Sequence, residues 1–295
     1  MPQAREELIE LQKRWVNDLK ARIYETESRH SPELDKYYEE YRREFQSGYE
    51  RVATRAELVR ALSKADIAYF GDYHTLKTAQ RTVKTLLDET VRSHGRKLIL
   101  GLEMLHTKHQ RFADQYVAGT LDEAGFLAAI EYEKTWGFEW PNYRVLFDLA
   151  REHKCKIIAL NRDVDKKDRR KSLQLRDKHA AAIIAAASMM YPDHLVAVLF
   201  GDLHTGETHL PRRVRDDLAG HGLDRHDLIV YQNSETLYWK LVSEGKELVV
   251  DAVKISKGKY CVMNATPLVK FQSHLNWQEA AGELSFTGLD TLGHE

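Results

Sequence analysis

Five short apolar runs, at 66–70, 97–102, 156–161, 195–200 and 227–231, alternate with helical segments near 76–93, 106–118, 122–132, 141–153, 166–189 and 208–219. No other property of the sequence restricts its fold as much. A run of this length reads as a strand covered on both faces, the situation of a parallel sheet, whose crossover connections are helices. Five runs fall short of the eight that a closed (β/α)8 barrel needs. The expected class is α/β: an open, mostly parallel sheet flanked by helices.

Two extensions flank a core spanning residues 56–232. Residues 1–55 carry Leu8, Leu11, Trp15, Leu19 and Ile23, then Tyr37, Tyr41 and Phe45, at helical spacing among many charges. Ser31-Pro32 supplies an N-cap and a first-turn proline, and Thr54-x-x-Glu57 fits a capping box. This is an N-terminal amphipathic helical extension, and its faces mix both charge signs, unlike the basic stripe of a membrane-surface helix. Residues 233–295 read as a C-terminal β-hairpin and tail, with strands at 246–255 and 260–264 around Ser256–Lys259. Trp277 and the rest of the tail read as peripheral, and the last ten residues as disordered.

Composition narrows the function classes. Lys+Arg 44 against Asp+Glu 45 gives a net charge of −1, so no nucleic-acid partner is implied. No stretch reaches the roughly 18 apolar residues of a membrane span. The first residues are charged, with no secretory apolar region and no lipobox cysteine, so the expected location is cytoplasmic. Cys155 and Cys261 form no CxxC, and a disulfide is not expected. GxxxxGK[ST], GxGxxG, GxSxG, HExxH and CxxCH are all absent.

One phrase occurs twice: Phe70-Gly71-Asp72-Tyr73-His74-Thr75 and Phe200-Gly201-Asp202-Leu203-His204-Thr205, each closing an apolar run. Ligands of open α/β sheets bind outside the carboxyl ends of the strands, where residues distant in sequence converge. Those ends here deliver Asp72 and His74; Glu103; Asn161, Arg162 and Asp163; and Asp202, His204 and His209. His74, Glu103 and His204 make a donor set for a divalent metal ion (Zn, Mn, Co or Fe). Asp72 and Asp202 read either as helix N-caps or as acceptors that orient an imidazole. Glu103, after a nearly uninterrupted apolar strand, needs a cation, and a metal or Arg162 would serve. Arg162 could equally clamp an anionic substrate or stabilise an oxyanion. His209 reads as a surface or cap histidine, and Trp136–Tyr143 as an aromatic packing segment or a pocket wall.

Gly71-Asp72-Tyr73-His74, Gly101-Leu102-Glu103-Met104, Trp140-Pro141-x-Tyr143, Ala159-Leu160-Asn161 and Gly201-Asp202-Leu203-His204 resemble, in order and spacing, the ChaN-like group of the haem-binding-uptake and Tiki superfamily. That group is related to erythromycin esterases and TraB-type proteins, and the likeness covers about residues 60–232. Tiki-like members are metal-dependent proteases, which implies His74, Glu103 and His204 as the metal site. Erythromycin-esterase relatives use similar positions to activate water. ChaN members hold haem between two subunits through a tyrosine, which implies haem, a homodimer and Tyr73 or Tyr143 as cofactor-binding candidates, with Tyr116 and Tyr132 beside them. Three expectations follow. The first is a hydrolase of a small-molecule or peptide substrate, in which His74, Glu103 and His204 activate water, with or without metal, and Arg162 polarises the substrate. The second is a haem- or iron-binding protein, and the third a partner-binding protein whose N-terminal helices form the interface.

Overall fold

A computed structural model describes residues 2–26, 31–164 and 171–283. In chain order the elements are α1 (Pro2–Thr26), α2 (Pro32–Arg43), β1 (Arg51–Ala53), α3 (Arg55–Lys64), β2 (Ile67–Asp72), α4 (Lys77–His94), β3 (Lys97–His106), α5 (Gln110–Val117), α6 (Glu123–Ala129) and α7 (Tyr132–Thr135). There follow α8 (Trp140–His153), β4 (Lys156–Asn161), α9 (Ser172–Met190), β5 (His194–Gly201), α10 (Leu210–Gly220), β6 (Asp227–Gln232), α11 (Glu235–Ser243), β7 (Ala252–Ser256), β8 (Lys259–Val262) and α12 (Pro267–Glu283). Short 3-10 turns occupy Thr107–His109 and Asp202–Thr205.

Local chemistry sets several of these boundaries. The Ser31 hydroxyl accepts from the Leu34 N–H while Pro32 opens α2, and Thr54 and Glu57 close a reciprocal capping box on α3. Gly95 ends α4 in the left-handed region at φ 63°, where the absent Cβ removes the steric penalty.

The strands form one sheet in the order β1-β7-β8-β6-β2-β5-β3-β4. Pairing is antiparallel between β1 and β7 and between β7 and β8, and parallel elsewhere. The five apolar runs are β2 to β6, and the sheet is open and mostly parallel with helices on both faces. Two cores result. Ala68 and Phe70 of β2 join one with α3, α4 and α8; Ile67 and Tyr69 join the other with α9, α10 and α11.

The C-terminal region differs from its sequence expectation. Strand β7 begins at Ala252, because Lys246–Val249 turns on a Val249 N–H to Lys246 carbonyl bond and leaves Leu248 91 % exposed. The hairpin is an extension of the main sheet, β8 pairing in parallel with β6. Trp277 is not peripheral, since it sits on α12, packs on Phe138 at 4.8 Å and donates to the Gly137 carbonyl at 3.2 Å. The expected disorder of the last ten residues concerns 286–295, outside the described residues. Among the described residues, no helix is long and apolar enough to cross a membrane.

Candidate functional site

Strand β2 ends in a buried carboxylate. Asp72, 3 % exposed, accepts from three donors: His74 Nδ1–H at 2.9 Å and Tyr143 Oη–H at 2.8 Å on Oδ2, and Gln80 Nε2–H at 2.5 Å on Oδ1. A buried charge is tolerable only when so satisfied. Asp72 is no cap, since α4 begins at Lys77 with no side-chain cap; it orients His74. With Nδ1–H held by Asp72, Nε2 is the atom that faces Glu103, 4.0 Å from its Oε2. Burial by itself disfavours the His74 cation, but the hydrogen bond and charge of Asp72, with the charge of Glu103, outweigh it and raise the pKa above the ordinary 6.5. The side chain keeps 24 % exposure, enough to meet solvent.

Strand β3 supplies Glu103 where its register with β4 shifts, between Leu102 and His106. The Gly201 N–H donates to Glu103 Oε2 at 2.5 Å, and the Arg176 guanidinium pairs with Oε1. Arg176 Nε also donates to Asn161 Oδ1 at 3.2 Å. The cation that Glu103 needs is therefore Arg176, from α9. Arg162 is exposed, its Nε donates to the Asp163 carbonyl, and it does not reach Glu103.

His204 stands in the 3-10 turn after β5, 4 % exposed, and its Nδ1–H donates to Asp177 Oδ1 at 2.5 Å. Asp177 is fully buried, and its Oδ2 accepts from the Tyr37 hydroxyl at 2.8 Å. Arg176 and Asp177, successive residues of α9, thus hold Glu103 and His204. Asp202 neither caps a helix nor touches His204; its Oδ2 pairs with Lys270 of α12 at 2.8 Å. His209 is not a surface residue: it is 3 % exposed, within 2.5 Å of the Leu203 carbonyl and 2.8 Å of Glu40 Oε2.

The two copies of the phrase are built differently because β2 and β5 pair one residue out of step: Phe70 lies opposite Leu199, and Asp72 opposite Gly201. Side chains alternate between faces, so a one-residue offset sends equivalent positions to opposite sides. Phe70 packs in one core and Phe200 in the other.

Both Glu103 oxygens are engaged, one by a guanidinium that repels a dication, and the donor atoms of His74, Glu103 and His204 do not gather within 4.8 Å of one another. The described residues do not fit a three-ligand metal site at this place. Asp88, Glu152 and His153 do gather so, but Arg92 and Lys84 already neutralise them.

Aromatic rings pack against His74, with centroids of Trp136 at 4.6 Å and Phe138 at 4.9 Å. Helix α12 lies alongside, with Ser273 hydrogen-bonded to Thr75 at 2.9 Å and Lys270 4.6 Å over the Tyr73 ring. Tyr143 is 1 % exposed, and burial followed by the charge of Asp72 raises its pKa well above 10, so it keeps its proton and donates a hydrogen bond to Asp72. Tyr73 is half-buried, flanked by Phe271 and His274.

Residues 58–172 match the family described as haem-binding uptake, Tiki superfamily, ChaN. Over that segment the chain is ChaN-like. The matched segment carries His74, Glu103 and Tyr143; Arg176, Asp177 and His204 lie beyond it. Similar solved structures include the cofacial haem complex of ChaN from Campylobacter jejuni, at TM-score 0.47 and 14 % identity over 61 % of this chain and 86 % of that one. The type III effector HopBA1 is similar at TM-score 0.48 and 10 % identity, over 74 % and 97 %. The toxin effector domain RRSP of Vibrio vulnificus CMCP6 is similar at 0.40 and 21 % identity, over 54 % of this ChaN-like chain and 34 % of that one. No curated protein matches the sequence.

Arg176, Asp177, Gln80, Tyr37 and Lys270 had no assigned role at the level of sequence. Asp177 had a readable signal: it lies on the same helical face as Leu173, Ala180, Ala181 and Ile184, a charged residue in an apolar stripe.

Proposed function

We propose that this ChaN-like protein is a hydrolase of carboxylic ester or peptide bonds, working by acid–base chemistry at His74, Glu103 and His204. One observation carries the proposal: His74 Nε2 and Glu103 Oε2 face each other at 4.0 Å across Gly201. That separation is too long for a direct hydrogen bond and suits one water bound to both. Neutral His74 takes a proton from this water at Nε2, and the water oxygen bonds to the carbonyl carbon. Asp72 holds the tautomer that leaves Nε2 free to accept and stabilises the cation formed. The carbon–leaving-group bond then breaks, and the leaving group takes the proton from His74 Nε2, with His204, held by Asp177, orienting the substrate. Arg176 pairs with Glu103 Oε1, and Oε2 is left toward His74 as a water acceptor. This assigns to Arg176 the cationic role that the sequence suggested for Arg162.

The test is hydrolysis of p-nitrophenyl acetate and of a mixed peptide library by wild type, His74→Gln and Glu103→Gln, each with and without EDTA. Expected is a loss of about 10²-fold or more in either variant and indifference to EDTA. Activity that EDTA removes and zinc restores would overturn the metal-free form. Equal rates in all three proteins would overturn the hydrolase.

The family match supports a second reading, haem binding. Of the four tyrosines singled out, Tyr116, Tyr132 and Tyr143 are buried and donate to Glu123, the Phe138 carbonyl and Asp72, whereas Tyr73 is half-buried and is the candidate iron ligand. Haem titrated into wild type and Tyr73→Phe decides it: a Soret band at stoichiometric haem that weakens in the variant supports the reading, and identical spectra refute it.

A further inference from the structure

Beside Tyr41, which joins the core, helix α2 and its C-cap Glu44 carry a polar stripe. Glu33, Tyr37, Glu40 and Glu44 follow one another at helical spacing and share a face. An amphipathic helix normally lays apolar side chains on a core. Here three carboxylates and a phenol grip the two elements that hold His204.

Glu33 accepts from the Leu173 and Gln174 N–H groups at 3.3 and 3.0 Å, capping the start of α9, the helix that bears Asp177. Tyr37 donates to Asp177 Oδ2, stacks on His209 at 3.9 Å between ring centroids and meets His204 edge-on at 6.0 Å. Glu40 lies 2.8 Å from His209 Nε2, and Glu44 accepts from the Glu207 N–H at 3.0 Å and pairs with Lys259. The stripe thus fastens both the carboxylate behind His204 and the 203–209 segment that carries it.

We infer that Tyr37 is a positioning residue that fixes the orientation of His204 through Asp177, which makes the N-terminal extension part of the site. Asp177 has two oxygens and two partners, and its full burial lets no water replace either. Removing the phenol leaves Oδ2 unsatisfied, and the carboxylate relieves that by turning away from His204. Burial and the charge of Asp177 push the Tyr37 pKa far up, so the hydroxyl remains a donor at all working pH values.

The inference rests on the hydrolase reading for its kinetic consequence and on nothing but geometry for its structural one, so two readouts separate them. In the full chain, the His204 Nδ1 proton, in a 2.5 Å bond to a carboxylate, gives a far-downfield proton NMR signal assigned by its loss in His204→Gln. Tyr37→Phe is expected to move that signal and to lower kcat on p-nitrophenyl acetate about tenfold at unchanged KM. Tyr37→Phe/Asp177→Asn is expected to be no slower than Asp177→Asn alone, as for residues acting in series. Glu33→Gln, which loosens the α9 cap without touching Asp177, is expected to lower the melting temperature and leave the signal in place. A moved signal in a protein that hydrolyses nothing upholds the positioning and sinks the hydrolase. A signal and a kcat both unchanged in Tyr37→Phe overturn the positioning.

Discussion

Asp72 lies opposite Gly201 across β2 and β5, on the same face of the sheet. The residue beside the oriented histidine is thus matched by one with no side chain. A Cβ added to Gly201 would sit 3.3 Å from Glu103 Oε2 and 3.4 Å from His74 Nε2. The glycine forms the floor between the Glu103 carboxylate and the His74 imidazole.

Gly201→Ala therefore removes activity more than stability. The methyl group would enter the space proposed for the reacting water, so kcat/KM is expected to fall about 10²-fold or more, against a stability loss of about 1–3 kcal/mol. Steady-state kinetics beside a urea titration check this. A variant with wild-type kinetics would remove the water from the mechanism.

Arg176 and Arg162 separate sharply by their surroundings. Glu103 is 3 % exposed, and Arg176→Met leaves it charged without its cation, a loss of about 3–5 kcal/mol. Arg162→Ala at the surface is expected within about 0.5 kcal/mol of wild type. Denaturant unfolding of the two variants gives the comparison, and equal losses would show that Glu103 has another counter-ion.

Activity is expected to rise with pH through a value above 6.5. The base form of His74 is the neutral one, and its raised pKa means that acid silences it earlier than an ordinary histidine. Asp72→Asn removes the main raising influence, so the residual activity has its acid limb at lower pH. Rate–pH profiles of both proteins test it. The folded protein favours the His74 cation, so His74 stabilises the fold below the unfolded pKa and ceases to as pH climbs through the folded one.

His106 acts oppositely. Burial, opposed by Asp163 at 3.1 Å, pushes its pKa down to about 4. The native state then binds fewer protons than the unfolded chain between about pH 6.5 and 4, so stability is lost as pH is lowered from about 6.5 to about 4, by up to about 3 kcal/mol. His106→Asn is expected to flatten this part of the stability profile, read from urea midpoints at several pH values.

The parallel core was legible because β2 to β6 are apolar on both faces, a pattern that loops and amphipathic helices do not produce. The repeated phrase places His74 and His204 just past strand ends, where the structure has them, but nothing in it states that the strands pair one residue out of step. The roles of Asp72 and Asp202 diverge for that reason alone. Register depends on how whole strands settle against their helices, a long-range property absent from any six-residue phrase. Arg162 was preferred to Arg176 because it follows a strand end directly; the reach of a helix 14 residues further on cannot be read from spacing. The stripe on α2 was seen only as amphipathicity, since its carboxylates count as solvent-facing until their partners are known.

Arg176 and Asp177 are neighbours in sequence, yet successive side chains of an α-helix diverge by about 100°. They form a two-pronged fork: one prong rests on Glu103 and the other on His204, and the rigid backbone between them sets the distance between the two halves of the site. Insertion of a single residue ahead of them in α9 would turn both prongs at once. Length changes in this lineage should then be confined to loops, with the stretch from Ser172 to Asp177 held at constant length even where its other residues vary.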